Sequence, residues 1–379
     1  MYFLYETRIK DFTLVILCFF NLNVRLAMLD KEILDSLKNW RELVSSYKIP
    51  DNKKAVFQIL NTFIPFVGLW TLMYFSLNWS IWITMAIGLV NALFLVRIFI
   101  IQHDCGHQSF SSSRKANKFI GKICSCFSSL PFSYWAKIHN FHHGHNGQIE
   151  VWDIGDIPTL TVDKYKQKSW LGKVAYRIWR MPIVTFVIAP IYYFSIANRI
   201  PTYTKKMKNA KRMVTSLIKD NLLIVIVYVA LSFLFGWKFL FIQFFLIFTF
   251  GIIAFWFFYV QHQHERSYKQ LRENWDYLLS AIKGSSYYKL PRVFQWLTGN
   301  IGIHHIHHLN SLIPNYNLPK ALKDHPILTK YATTISFRES LSLMKHKLWD
   351  EVDERMVSFR EASRLIKLRV DNMNVATAH

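Results

Sequence analysis

Four stretches of this chain are apolar enough and long enough to cross a bilayer, and few sequence features restrict a fold as severely. Residues 55–77 carry no charged side chain, and 79–101 carry only Arg97, near the end of the stretch, where a long side chain can reach the lipid boundary. Residues 222–235 and 239–260 form a second pair, separated by Gly236, Trp237 and Lys238, with the first member short for a full crossing. Hydrocarbon offers backbone N–H and C=O groups no partners, so such segments must be helical. The expected fold is an all-α integral membrane protein, with four transmembrane helices in two hairpins and a cytosolic helical cap. Met181 to Ala197 is also apolar, but Pro182 and Pro190 interrupt it, which suits a segment lying in the interface. At 52% hydrophobic and 16% aromatic the chain is not disordered, and its four cysteines exclude a disulfide scaffold.

Charge sets the orientation. Lys and Arg outnumber Asp and Glu 46 to 24, a net +22 that calls for an anionic neighbour, either lipid headgroups or nucleic acid. The two tight loops near Asn78 and Gly236 hold one lysine between them, whereas 198–220 holds Arg199, Lys205, Lys206, Lys208, Lys211, Arg212 and Lys219 against a single acid. Basic loops stay cytoplasmic, so the N-terminal arm, residues 102–221 and everything after 261 are expected on that side. The positive excess then faces the membrane and no nucleic-acid partner is expected. Residues 11–20 have the length of a signal core, but the flanking charge is weak, Arg25-Leu26-Ala27 is a poor cleavage match, and Met28 is an alternative start. Leu29 to Tyr47 spaces Ile33, Leu34, Leu37, Trp40, Leu43, Val44 and Tyr47 as an amphipathic helix expected to lie on the bilayer. The domain reading is an arm over 1–53 (1–27 a possible start-site extension), a catalytic domain over 54–351 and a tail over 352–379.

Twelve of the fifteen histidines fall in four clusters: 103/107, 139/142/143/145, 262/264 and 304/305/307/308. At about 100° per residue, positions i, i+3 and i+4 share one helix face, which groups His139 with His142 and His143, and His304 with His307 and His308. His103 and His107 form an i, i+4 pair, and His305 points elsewhere. Two membrane crossings return the chain to the same side, so all four clusters can meet in one cap. Two, three, three and one of the 262/264 pair give nine nitrogen donors, more than one ion takes and suited to two ions at four or five each. Imidazole without thiolate leaves iron, copper, nickel and zinc open. His145, beside Gly144, is read as a surface residue, and the lone His325, His346 and His379 as interfacial residues near the membrane boundary. Cys105 is read as packing, and Cys124 and Cys126 as buried thiols.

The stretches HDCGHQSF (103–110), HNFHH (139–143), VQHQHE (260–265) and GNIGIHHIHHLNSLIPNYNLP (299–319) resemble the membrane fatty acid desaturases, most nearly the bacterial acyl-lipid Δ12 (omega-6) kind. DIGDIPTLTVDKY (153–165) and residues 275–300 extend the similarity over roughly Lys54 to Glu351. The resemblance implies a non-haem centre of two iron ions that uses O2 and two electrons to remove two hydrogens from a fatty acyl chain. Its implied ligands are His103, His107, His139, His142, His143, His304, His307 and His308, with His262 as the ninth, while His264 departs from the commoner pattern and stays open. It also implies a membrane-lipid substrate and an external electron-transfer protein, ferredoxin-like or cytochrome b5-like.

Unactivated methylenes give an acid or base nothing to act on, so a metal must supply the driving force. Carboxylates behind the rings would fix their orientation, with Asp104, Asp153, Asp156 and Glu265 as candidates; Asp153 and Asp156 serve equally well as turn formers beside Gly155 and Pro158. Choosing one bond on a featureless chain requires an apolar tunnel, for which Phe132, Tyr134, Trp135, Phe255, Trp256 and Tyr259 are candidate walls. Histidine spacing does not separate desaturation from hydroxylation, ketolation or epoxidation on the same scaffold. A histidine-rich metal transporter is the rival from another class, but transport sites lie near the midplane and no histidine falls inside an expected span. A zinc protease lacks its HExxH helix, since Arg266, Ser267 and Tyr268 follow His264-Glu265.

Overall fold

The structure, a computed structural model, describes residues 24, 26–151, 154–204, 207 and 209–377. The expectations for residues 11–20, Asp153, Lys205, Lys206, Lys208 and His379 lie outside the described residues. Among the described residues, four helices are long and apolar enough to cross a membrane: Asn52–Ser76, Ile81–Gly106, Ala210–Phe235 and Trp237–His262, here the first to fourth spans. The first begins at Asp51, whose carboxylate accepts from the Lys53 and Lys54 amides, and the second at Ser80, whose hydroxyl accepts from the Ile83 amide. The third is no short crossing, because its helix starts at Ala210, well before the uncharged run, and carries polar turns into the cap. Gly236, at φ +64°, makes the tight reversal into the fourth span.

Both hairpin turns sit at the same end of the bundle, where the Lys238 ammonium donates to the Asn78 side chain and lies 4.9 Å from the Tyr74 ring centroid. The histidine-bearing ends of the second and fourth spans therefore point together to the opposite end. The core between spans is formed by Phe66 and Met73 from the first, Ala92 and Leu95 from the second, and Ile242, Leu246 and Phe250 from the fourth. The third span is peripheral and is tied in by the buried Asp220, which accepts from the Ser133 amide at 2.7 Å and pairs with Lys122 at 3.3 Å.

Two sequence expectations change here. Arg97 does not reach outward: it is buried, donates to Thr62 Oγ1 (2.9 Å), to Asn61 Oδ1 (3.2 Å) and to the Trp296 carbonyl, and lies 4.0 Å from the Trp296 ring centroid. An arginine too deep to snorkel must find its acceptors within the protein, and the first span together with the short helix Arg292–Leu297 supplies them. The N-terminal arm does not present its apolar face to lipid either. Helical over 26–36 and Trp40–Leu43, it buries Ile33, Leu37, Trp40, Val44 and Tyr47 against Leu279, Ile282, Ile306, Leu309 and Leu318 of the cap. Full burial of such side chains contributes about 1.5–3 kcal/mol each, and a cap with an unpaired apolar face competes successfully with the bilayer for them.

Met181 to Ala197 belongs to a bent pair, Trp170–Trp179 and Val184–Arg199, kinked by 59°. Phe186, Ala189, Pro190 and Phe194 are buried, and a Cβ at Gly251 of the fourth span would meet Pro190 Cβ at 3.0 Å, so the elbow packs closely on that span. Its other side exposes Trp170, Leu171, Ile178, Trp179 and Ile188, the composition of an interfacial surface. The cap also carries small sheets that the all-α reading did not include. Leu160–Thr161 pairs parallel with Leu348–Asp350, which pairs antiparallel with Arg355–Val357, and Ser286–Lys289 pairs parallel with Thr333–Ser336. The terminal helix Phe359–Thr377 rests Ala362, Leu365 and Ile366 on Val162 and Leu348.

Replacing Arg97 with methionine keeps the packing volume but takes a donor from three acceptors, of which the Trp296 carbonyl keeps the Gly299 amide and Asn61 Oδ1 keeps the Thr62 hydroxyl; an acceptor left buried without a donor costs about 1–3 kcal/mol. The detergent-solubilised variant should melt below the wild type in a thermal unfolding assay; an unchanged midpoint would show that this charge holds nothing together.

Candidate metal centre

The second span continues past its apolar run, so His103 lies in its last turn and His107 caps it. The helix Phe132–His145 carries His139, His142 and His143, and the short helix His304–Leu309 carries the last triplet. Gly155, at φ +74°, lets the following loop pass beneath the first of these helices, where an added Cβ would meet His142 Cβ and Ile138 Cγ2 at 3.2 Å. His262 is the last residue of the fourth span.

These elements bring all nine expected histidines together in two neighbouring groups. His103, His107, His139, His143 and His307 have ring nitrogens all within 4.8 Å of one another, as do those of His142, His262 and His308. His304 joins the second group, its Nε2 lying 3.0 Å from that of His262 and 3.1 Å from that of His308. Each triplet is divided. The i, i+4 pair His139/His143 faces the first group while His142 faces the second, and His304/His308 faces the second while His307 faces the first. The one-face expectation was too coarse, because three rings on a single arc still diverge enough to join two groups.

Nε2 converges throughout. His142 and His262 approach at 3.3 Å, His139 and His143 at 3.1 Å, and His143 and His307 at 3.1 Å, in each case between Nε2 atoms. Two bare lone pairs at that separation repel unless a proton or a cation lies between them. His103 Nε2 and His107 Nε2 are buried with no hydrogen-bond partner at all, a cost of about 1–3 kcal/mol each that a coordinated cation removes. Burial, followed by the field of neighbouring rings, holds His107, His139, His143, His304, His307 and His308 well below the usual histidine range, and burial brings His142 down to about 4. These seven rings are thus neutral at ordinary pH, the form that coordinates metal.

Partners on the far nitrogen aim several rings. Asp104 Oδ1 lies 2.9 Å from His103 Nδ1, while its other oxygen accepts from the amide and side chain of Asn315 at 2.6 and 2.8 Å. Asn140 Oδ1 lies 2.7 Å from His107 Nδ1, and the Gly284 carbonyl 3.2 Å from His262 Nδ1. Asn140, Gly284 and Asn315 were missed from sequence, although Asn140 and Asn315 both sit inside the motif stretches. Asp156 bonds the Ile157 amide at 2.6 Å and raises His142 only through its charge. Glu265 does not stand behind a ring: its side chain is 53% exposed and pairs with Arg355 at 3.7 Å, because the chain turns outward once the fourth span ends.

The other described histidines stay outside both groups. His145 is half-buried, bonds the Phe141 carbonyl at 2.9 Å and stacks on the Phe141 ring. His305 is buried beside Thr329, and His264 is buried with neither ring nitrogen hydrogen-bonded. His346 is not interfacial: it is buried within the cap and its Nδ1 lies 3.1 Å from the Met356 carbonyl. Cys105 and Cys124 are buried packing residues, while Cys126 is only half-buried.

A cavity of about 260 Å³ opens beneath the rings, with His103, His139 and His304 in its wall and Val96, Phe99, Ile100, Ile253 and Phe258 further down. Of the expected wall residues, Trp135 and Phe255 line it. Trp135 also stacks on His139, with centroids 4.7 Å apart and planes at 13°. Phe132 packs at Gly121, Tyr134 reaches the Ile200 carbonyl, Trp256 bonds the Tyr288 hydroxyl and Tyr259 bonds the His346 carbonyl, so these four serve packing. The missed walls had a signal, since Val96, Phe99 and Ile100 precede His103 by 7, 4 and 3 residues on one helix face.

The family model described as fatty acid desaturase matches residues 80–338. A Bacillus subtilis (strain 168) protein named fatty acid desaturase is 42% identical over 334 residues, covering 88% of this chain and 94% of that protein. The chain belongs to the fatty acid desaturase family. The family is one of oxidoreductases, in keeping with a buried histidine site above an apolar cavity. A Synechocystis protein named sn-1 oleoyl-lipid 12-desaturase is 27% identical over 229 residues, covering 59% of this chain and 63% of that protein. A Helianthus annuus protein named sn-2 acyl-lipid omega-3 desaturase (ferredoxin), chloroplastic, is 27% identical over 270 residues, covering 67% of this chain and 58% of that protein.

Released from the fold, His107, His139, His142, His143, His304, His307 and His308 take up protons near pH 6.5; within it they stay neutral to lower pH, His142 to about 4. Between those values the unfolded chain binds more protons, so the stability of metal-free protein must fall as pH is lowered through the window. Thermal midpoints of the metal-free protein, measured stepwise through that window, should decline, and a flat profile would contradict neutral buried rings.

Proposed function

We propose that the nine histidines hold two iron ions, with His103, His107, His139, His143 and His307 around one and His142, His262, His304 and His308 around the other. On this reading the protein inserts a double bond into a membrane fatty acyl chain, of the Δ12 (omega-6) type. The supporting observation is the pair of five-ring and four-ring groups of converging Nε2 atoms at the top of an apolar cavity. The overall change is –CH2–CH2– plus O2, two electrons and two protons to –CH=CH– plus two waters. Bound iron supplies the oxidising power that methylene C–H bonds demand.

The protein's own part is positioning. Asp104, Asn140 and the Gly284 carbonyl fix Nδ1 of three rings so that each Nε2 faces inward. Trp135, stacked on His139 and lining the cavity, offers a flat wall against which an acyl chain can lie beside the ring. Burial of the rings keeps bulk water away from the oxidant. The electrons come from an external carrier, ferredoxin-like or cytochrome b5-like; the Helianthus relative carries ferredoxin in its name. The basic segment 198–220 supports a cytoplasmic site at a bacterial inner membrane.

Expression in a host that lacks the activity, followed by mass spectrometry of fatty acid methyl esters with double-bond localisation, should reveal a new double bond. A retained oxygen atom would instead mark a hydroxylase or epoxygenase, and an unchanged lipid profile would sink the proposal. His142→Ala and His307→Ala should each abolish product while leaving membrane insertion intact; full activity in either removes that residue from the ligand set. Asp104→Asn should weaken metal retention by about 10–100-fold in a chelator competition, through loss of ring orientation.

A further inference from the structure

The cavity beneath the histidines runs down between the second and fourth spans. Its deepest lining residue on the second span is Val96, and on the fourth Ile253. At 1.5 Å per residue these lie about 10 Å below His103 and about 13 Å below His262 along their helix axes. A second cavity, of about 520 Å³, continues on the same two helices toward the far end of the bundle, lined by Met85 and Leu89 from one and by Phe245, Thr249, Ile252 and Ile253 from the other. It is a groove with an almost wholly apolar wall, on helices that cross the bilayer, and Leu89 and Phe244 beside it are exposed. In a membrane such a groove is filled by lipid tails.

Ile253 is the one residue that lines both cavities. It is only half-buried, so a single branched side chain of modest volume stands between the reaction cavity and the lipid-facing groove. Below it the helices are closely packed: a Cβ at Gly88 would fall within 2.8 Å of both the Phe245 ring and the Met73 methyl, which leaves an acyl tail no direct way between the spans there.

We propose that Ile253 is the end stop of the acyl cavity, limiting how much of the chain on the methyl side of the reacting carbons the enzyme accepts. This rests on the desaturase reading of that cavity. A tail longer than the stop allows must either displace Ile253 into the groove or withdraw the reacting carbons from the rings. Removing the side chain joins the two cavities and lets the tail run on into a space already suited to lipid. Enlarging it shortens the cavity from below.

The test uses full-length protein in nanodiscs that contain phospholipids with acyl chains of four graded lengths. Two readouts are taken: the lengths of acyl chains retained on the protein in native mass spectrometry, and the lengths of those that gain a double bond. Ile253→Ala should enrich the longest chains, and Ile253→Trp should deplete them by about fourfold for each methylene displaced. Ile252→Trp, which crowds only the groove, should leave both profiles as in the wild type. Unchanged retention profiles in both Ile253 variants would overturn the stop, and so would an Ile252→Trp shift as large as that of Ile253→Trp. Retention is read without turnover, so a wild type that makes no double bond defeats the desaturase reading while the stop is still judged on retained chain lengths.

Discussion

Nine imidazoles with ring nitrogens turned toward one another form a buried arrangement that a bound cation would stabilise. Each ring brings a nitrogen into a buried space, and neighbouring Nε2 atoms at 3.0–3.3 Å repel unless a proton or a cation lies between them. The rest of the fold serves to hold this arrangement in place. Long, stiff helices fix His103 and His262, two short helices deliver the triplets, and Asp104, Asn140 and the Gly284 carbonyl hold rings from behind.

The membrane hairpins place this cage at one end of the bundle with an apolar cavity directly below. One helix face does both jobs on the second span, presenting His103 at the top and Ile100, Phe99 and Val96 in descending order. The histidine cluster and the apolar cavity therefore share a rigid element, so the distance between the rings and any point on that helix's part of the cavity wall is set by helical rise rather than by a loop. That rigidity is what a reaction on unactivated methylenes requires, since the substrate offers no polar group to register it.

Elements that were misread share a cause. Arg97 near the end of an apolar run reads as a snorkelling residue, and only the approach of Trp296, almost two hundred positions later, shows it to be clasped inside. The arm helix has a face that suits lipid, and the cap that covers it is assembled from Leu279, Ile306 and Leu318, none of them near it in the chain. Glu265 adjoins a histidine motif, yet the local change of chain direction sends it to Arg355. In each case the residue type was compatible with two environments, and a distant segment decided between them.

The number of crossings, the pairing into hairpins and the nine imidazoles could be read from the sequence, because apolarity and ring chemistry belong to residues and short windows of chain. The division of those rings into five and four, the partners of each Nδ1 and the place where the cavity ends belong to the tertiary structure. They depend on how helices are rotated and spaced against one another, which no local window of sequence contains.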